Sequence, residues 1–215
     1  LATLGNLEQL YLEGNDIRDI SSLVGAGLVD DGDSGFVAAN EFQRNINPVE
    51  NAFEGDYRFV PPASGTAAKA QWTFENLNDG TYQLFVTWLP QEARSQQAVY
   101  SVSDGFGRAI DVVDAQEIPI DTLAVNQRLN PSGGLLGGRP WESLGFLTIE
   151  SGVVRVTLEG TANGFVAADA VRLASVSPVL PNLRVLNLTD NPLDSRAQTL
   201  YIPQIENLPA LTTLF

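Results

Sequence analysis

The segment Val29-Asp30-Asp31-Gly32-Asp33-Ser34-Gly35 sets three carboxylates within four positions. Hard oxygens at that density can ligate calcium. The segment lacks the later bidentate glutamate of an EF-hand loop, so Asp30, Asp31 and Asp33 are read either as a calcium site of another kind or as an acidic turn between two structural segments. A second group could do sugar chemistry, which needs a flat aromatic face with amides or carboxylates beside it. Trp88 ends an alternating run just before Pro90, with Gln91 and Glu92 following, and Tyr57 follows a polar stretch. These four residues are the expected carbohydrate site. Trp72, Tyr82 and Trp141 fall in core phase and are expected inside. Asp169, set in an apolar run, is expected to bond buried backbone or Arg172 rather than a metal, because an isolated buried charge is costly.

What is absent narrows the chemistry further. The chain has no histidine and no cysteine, which removes Ser/His/Asp and Cys/His catalysis, imidazole metal sites, thiolate zinc and disulfides. Acid pairs are inevitable among 26 Asp and Glu residues, and sequence does not show the facing separation that glycosidase chemistry requires. No catalytic residue is assigned, and the chain is read as not an enzyme. The glycines of Gly133-Gly134 and Gly137-Gly138 lack a phosphate-loop Lys-Ser/Thr ending and read as a flexible loop. A formal charge of −14 repels nucleic acid and anionic lipid heads. No apolar run reaches the roughly 20 residues of a membrane span. With no Cys and no Met, the composition suits an oxidising exterior, so an extracellular or cell-surface location is expected. The chain opens in mid-pattern and reads as one segment of a longer protein.

Self-similarity organises the two ends. Leu7, Leu10, Leu12, Asn15 and Ile17 fit LxxLxLxxNxI, and Leu183, Leu186, Leu188, Asn191 and Leu193 fit it again. Leu4-Gly5-Asn6-Leu7 parallels Leu180-Pro181-Asn182-Leu183, and Leu208-Pro209-Ala210-Leu211 starts a further copy. The pattern predicts leucine-rich-repeat segments over 1–29 and 174–215, with leucines pointing inward from short strands and the asparagine bonding turn backbone. Repeat units cannot bury their apolar faces alone, so open solenoid ends at Leu1 and Phe215 are expected to meet flanking repeats or neighbouring chains.

Between them, over 30–173, period-2 alternation replaces the leucine period. Ala70-Gln71-Trp72-Thr73-Phe74, the turn Asn78-Asp79-Gly80 and Tyr82 to Trp88 read as a hairpin. Val99 to Val102, Asp104-Gly105 and Ala109 to Val113 read as a second. Val154 to Leu158, the turn 160–164 and Phe165 to Leu173 read as a third. Further strands are expected near Phe36, Tyr57 to Val60, Asp121 to Asn126 and Leu144 to Ile149. The fold class is mainly β: an antiparallel, jelly-roll-like β-sandwich inserted between leucine-rich-repeat segments.

Two resemblances add to this reading. Asn15-Asp16-Ile17-Arg18-Asp19-Ile20-Ser21-Ser22-Leu23 resembles the return segment of bacterial internalin-type repeats, which implies a surface protein using its strand face for recognition. Asp31 to Phe36, Tyr57-Arg58, Ala70 to Phe74, Gly80-Thr81-Tyr82 with Trp88, Val125-Asn126-Gln127, Trp141 to Gly145 and Val166 to Arg172 together resemble the golvesin C-terminal domain and the carbohydrate-binding-like domain of xanthan lyases. That implies a secreted accessory β-sandwich, with sugar binding inferred from the company it keeps and no catalytic residues. The segments Asp114 to Leu123 and Pro131 to Arg139 depart from a compact member of that family.

The function expected is a non-catalytic bacterial surface or matrix module in which a repeat scaffold carries a polysaccharide-binding or adhesive lobe. The other reading is a structural unit of an extracellular fibre polymerised through its solenoid ends. Expected partners are polysaccharide or protein at the cell surface, or further copies of the chain. Nucleic acid and membrane insertion are excluded. No cofactor is required, and calcium is the one the acids could take.

Overall fold

Alternating apolar and polar residues become strands through most of the chain. In the computed structural model the described residues are 5–45, 50–62, 68–161, 163–177 and 179–215; Leu1 and Leu4 of the first repeat segment and Ala162 in the expected turn 160–164 lie outside them. The chain forms β1 (Gln9–Tyr11), β2 (Ala26–Val29), β3 (Phe36–Ala38), β4 (Gln43–Arg44), β5 (Arg58–Val60), β6 (Lys69–Phe74), β7 (Gly80–Val86), β8 (Ala98–Asp104) and β9 (Leu123–Val125). The short pair β10 (Leu135–Leu136) and β11 (Arg139–Pro140) follows, then β12 (Glu142–Ile149), β13 (Val154–Glu159), β14 (Val166–Ala168), β15 (Val171–Ser175), β16 (Val185–Asn187) and β17 (Thr213–Leu214). Two compact units result: Leu28–Leu173, and Leu1–Gly27 together with Ala174–Phe215.

The first unit is a β-sandwich. One sheet has five antiparallel strands in the order β3-β6-β13-β8-β9, another has four in the order β12-β7-β15-β2, and a small antiparallel sheet is ordered β14-β5-β4. Period-2 burial puts Ala70, Trp72 and Phe74 of β6 and Val154, Val156 and Leu158 of β13 inside, with Tyr82, Leu84 and Val86 of β7 and Leu147 and Ile149 of β12 in the same apolar cluster. Trp72, Tyr82 and Trp141 are buried, as their phase predicts.

Most strands fall where alternation places them, but Ala109 to Val113 makes only isolated bridges, Phe165 to Leu173 splits into β14 and β15 in different sheets, and two of the three hairpins do not form. β6 pairs with β13 and β3, whereas β7 pairs with β12, so Asn78-Asp79-Gly80 carries the chain from one sheet to another instead of closing a hairpin. Likewise β13 pairs with β6 and β8, while β14 pairs with β5. Only the second turn closes on itself, through Asp104 N to Arg108 O (2.9 Å) and Ile110 N to Val102 O (3.0 Å). The segment read as a flexible glycine loop also differs: β10 and β11 form a small hairpin across Gly137 and Gly138, whose φ values of 60° and 74° supply the left-handed turn that two-residue hairpins need.

In the second unit, β1, β16 and β17 form a parallel sheet in that order. The register stacks Leu10 on Leu186 and Leu186 on Leu214. Asparagine side chains satisfy the turn backbone beside the ladder. Asn191 Nδ2 donates to Leu12 O (2.7 Å) and Leu188 O (3.0 Å), Asn191 Oδ1 accepts from Ile17 N (3.2 Å), and Asn15 Nδ2 donates to Leu12 O (2.9 Å). A π-helical turn, Ala197–Tyr201, runs into an α-helical turn, Ile202–Ile205, and buries Leu200, Tyr201 and Ile205.

Candidate functional site

Asp30 and Asp31 directly follow β2, and Asp56 lies just ahead of β5. The fold brings one carboxylate oxygen from each within 4.8 Å of the others. Asp30 and Asp31 are each only 2% exposed. Neither oxygen of Asp31 has a hydrogen-bond partner, nor does Asp30 Oδ1; Arg58 Nε approaches Asp31 Oδ2 at 3.5 Å. Burial, with the neighbouring Asp31 charge adding to it, pushes the Asp30 carboxyl up to about 8, and burial together with Asp56 pushes Asp31 up to about 7. Asp33, expected as the third member, is engaged elsewhere: its Oδ2 accepts the Asp30 amide at 2.8 Å and shapes the turn. Asp56 completes the group instead, while its Oδ2 accepts from Arg44 Nε at 2.6 Å.

Behind this group is a buried polar layer. The Asp169 carboxylate accepts the Phe53 amide at 3.2 Å through both oxygens, so the expected bond to buried backbone is made. Burial holds Asp169 well above the usual carboxylate range, and the charge of Asp30 raises it further. Arg94 is buried with its guanidinium 4.8 Å from the Tyr57 ring centre, and burial lowers its basicity. Gln127 imitates a strand: its amide donates to Ala167 O and accepts from Ala167 N, both at 2.8 Å.

The aromatic platforms are corrected. Trp88 and Tyr57 are each 4% exposed, so neither presents an open ring face. Trp88 Nε1 donates to Leu129 O (2.9 Å), and the Tyr57 hydroxyl accepts from Asn45 Nδ2 (3.2 Å). Gln91 and Glu92 are exposed on the turn after Pro90. What the sandwich does offer near Trp88 is a hollow of about 360 Å³ with an apolar wall of Trp88, Leu89, Pro90 and Pro140. Asn51, Asn130 and Arg139 line it with polar groups. Arg139 is positioned by bonds to Asn51 Oδ1 (3.4 Å) and to the Glu50 carbonyl. Size, apolar wall and a few convergent donors and acceptors are what a saccharide pocket requires. Nothing in the local sequence marks Asn51, Asn130 or Arg139, because they come from three segments far apart in the chain.

Comparison with known proteins agrees with the sandwich. The family model described as the golvesin C-terminal domain matches residues 28–175. Among solved structures, a Paenibacillus xanthan lyase is similar at 25% identity and a TM-score of 0.54, over 71% of this chain and 13% of the lyase. A CBM35 from Cellvibrio japonicus Abf62 is similar at 13% identity and a TM-score of 0.47, over 71% of this chain and 94% of that one. A family 35 carbohydrate binding module from an environmental isolate matches at 13% identity and 0.46, over 72% and 98%. The chain thus spans a small part of the lyase and nearly the whole of the isolated modules. A comparison with curated proteins returns no match.

Proposed function

The chain belongs, over residues 28–175, to the golvesin C-terminal domain family, and from that premise we propose that it is a non-catalytic polysaccharide-binding module of an extracellular bacterial protein. The observation that carries the reading is the hollow beside Trp88, where an apolar wall meets Asn51, Asn130 and Arg139. Apolar wall and amides would divide the two characters of a sugar ring between them. The buried Trp88 acts as the back of the pocket rather than as a stacking platform.

The outer segments are read as leucine-rich repeats that serve as scaffold. That reading is supported by the parallel stacking of Leu10, Leu186 and Leu214 and by the asparagine bonds to turn carbonyls. Among the described residues no helix is long and apolar enough to cross a membrane.

The test is binding of the intact chain to soluble neutral and acidic polysaccharides, measured by retardation in polysaccharide-containing gels and by calorimetry. Asn51→Ala, Asn130→Ala and Arg139→Ala should each weaken binding by about tenfold, the loss of one or two well-placed hydrogen bonds. Binding that all three variants leave untouched would move the site elsewhere, and no binding across a glycan array would reject the function in favour of a structural role.

A further inference from the structure

We propose that Asp30, Asp31 and Asp56 hold a calcium ion inside the sandwich. Such a site does not depend on sugar binding. Two of the three carboxylates are almost wholly buried, and Asp31, whose side chain is fully buried, has no hydrogen-bond partner on either oxygen. Buried carboxylates without donors are costly and are normally paired or metal-bound. Arg58 is the nearest cation, but at 3.5 Å from one oxygen of Asp31 it leaves the second oxygen, and Asp30 Oδ1, without a partner.

The geometry selects the ion. Three oxygens within 4.8 Å of one another need only small side-chain adjustments to share an ion at about 2.4 Å, the calcium distance. Magnesium requires about 2.1 Å and a stricter octahedron, which side chains from two separate segments meet less readily. With no histidine or cysteine in the chain, the donor set is oxygen alone, which disfavours zinc and copper. Backbone carbonyls of the Asp30–Asp33 turn and water would complete the shell. The ion would tie the segment after β2 to the segment before β5, so its effect should be seen in stability as well as in binding heat.

The experiment uses the whole chain stripped with EDTA and titrated with calcium chloride, with magnesium chloride at matched ionic strength as the comparison. Expected is one saturable calcium event, with a dissociation constant of about 10⁻³ M or tighter, and a melting temperature that rises by several degrees at a large excess of ligand. Magnesium should do this at least about tenfold more weakly. Asp31→Asn should abolish the calcium shift while melting in EDTA no lower than the parent, because the charge it removes is only partly compensated there, by Arg58. If Asp31→Asn does not fold, Asp56→Asn decides, and must lose the shift too. Arg58→Gln removes the competing guanidinium and should bind calcium more tightly. Absence of heat and of any melting shift at millimolar calcium, or a shift that survives both Asp variants, would overturn the site.

Discussion

The sandwich and the outer unit solve the same problem with different materials. In the sandwich, strand faces bury large side chains in one apolar cluster, and the polar groups enclosed with them include the ionisable Asp30, Asp31, Arg94 and Asp169. In the outer unit, a three-stranded parallel ladder buries leucines, fully so on the central strand at Leu186, and the accompanying polar work is done by neutral asparagine amides bonded to turn carbonyls. The neutral amides of that ladder carry no charge for pH to change. Buried carboxylates give a region that responds to protons and cations. Each region therefore answers to its own perturbation.

The largest effect is expected from Trp72→Ala. Its ring is buried, packs edge-on to Phe36 at 5.3 Å and donates to Asp169 O at 3.0 Å, so truncation should cost about 3–5 kcal/mol in denaturant unfolding. All three tryptophans lie in the sandwich unit, so the fluorescence of the two that remain reads that unit alone. A loss under about 1 kcal/mol would mean that the interior is loosely packed.

Next in size is the pH response in EDTA. Asp30 has a folded value near 8 against an ordinary value of 3.8, so between those limits the folded chain holds a proton that the unfolded chain has released. Stability contributed by the protonated form is therefore present at low pH and lost as pH rises through the folded value, the reverse of a salt-bridged carboxylate. Asp31 and Asp169 act in the same direction. The sandwich should be more stable at pH 5 than at pH 8 by on the order of a few kcal/mol, and calcium should flatten or invert that slope. A metal-free profile that rises with pH would show the carboxylates to be compensated by groups other than those seen.

Smaller is Asn191→Ala in the outer unit. It removes bonds to Leu12 O and Leu188 O and leaves the Ile17 amide without its acceptor, a cost of about 1–2 kcal/mol that should not vary between pH 5 and 8. Hydrogen exchange at the Leu186 and Leu188 amides reads it locally. Smallest is Lys69→Ala. Its bridge to Glu159 at 2.9 Å is half exposed on both sides, and its removal should change stability by no more than about 0.5 kcal/mol.

The strands of the sandwich were legible because alternation is a local signal: Ala70-Gln71-Trp72-Thr73-Phe74 can bury one face only as a strand. Pairing was not legible, because Asn78-Asp79-Gly80 has the composition of a hairpin turn whether the next strand folds back or crosses to another sheet. The β10–β11 hairpin was hidden by arms of two residues, one of them a proline. Trp88 suggested exposure because its strand ends there, yet the residue whose carbonyl binds its indole is 41 positions later. The acidic group was half legible: Asp30 and Asp31 are adjacent in sequence, whereas Asp56 joins them only because its segment folds back beside theirs.

The parallel pairing of β1 with β16 has a consequence for synthesis. Ile17 finds its acceptor on Asn191, 174 residues later, so at roughly 5–20 residues per second the first strand waits about ten to thirty seconds for its neighbour to be made. Closing so long a loop in an unfolded chain carries an entropic penalty, but β2 and β15 are adjacent in one sheet, so a finished sandwich has already brought its two chain ends together. A finished sandwich thus lowers the entropic penalty of pairing β1 with β16.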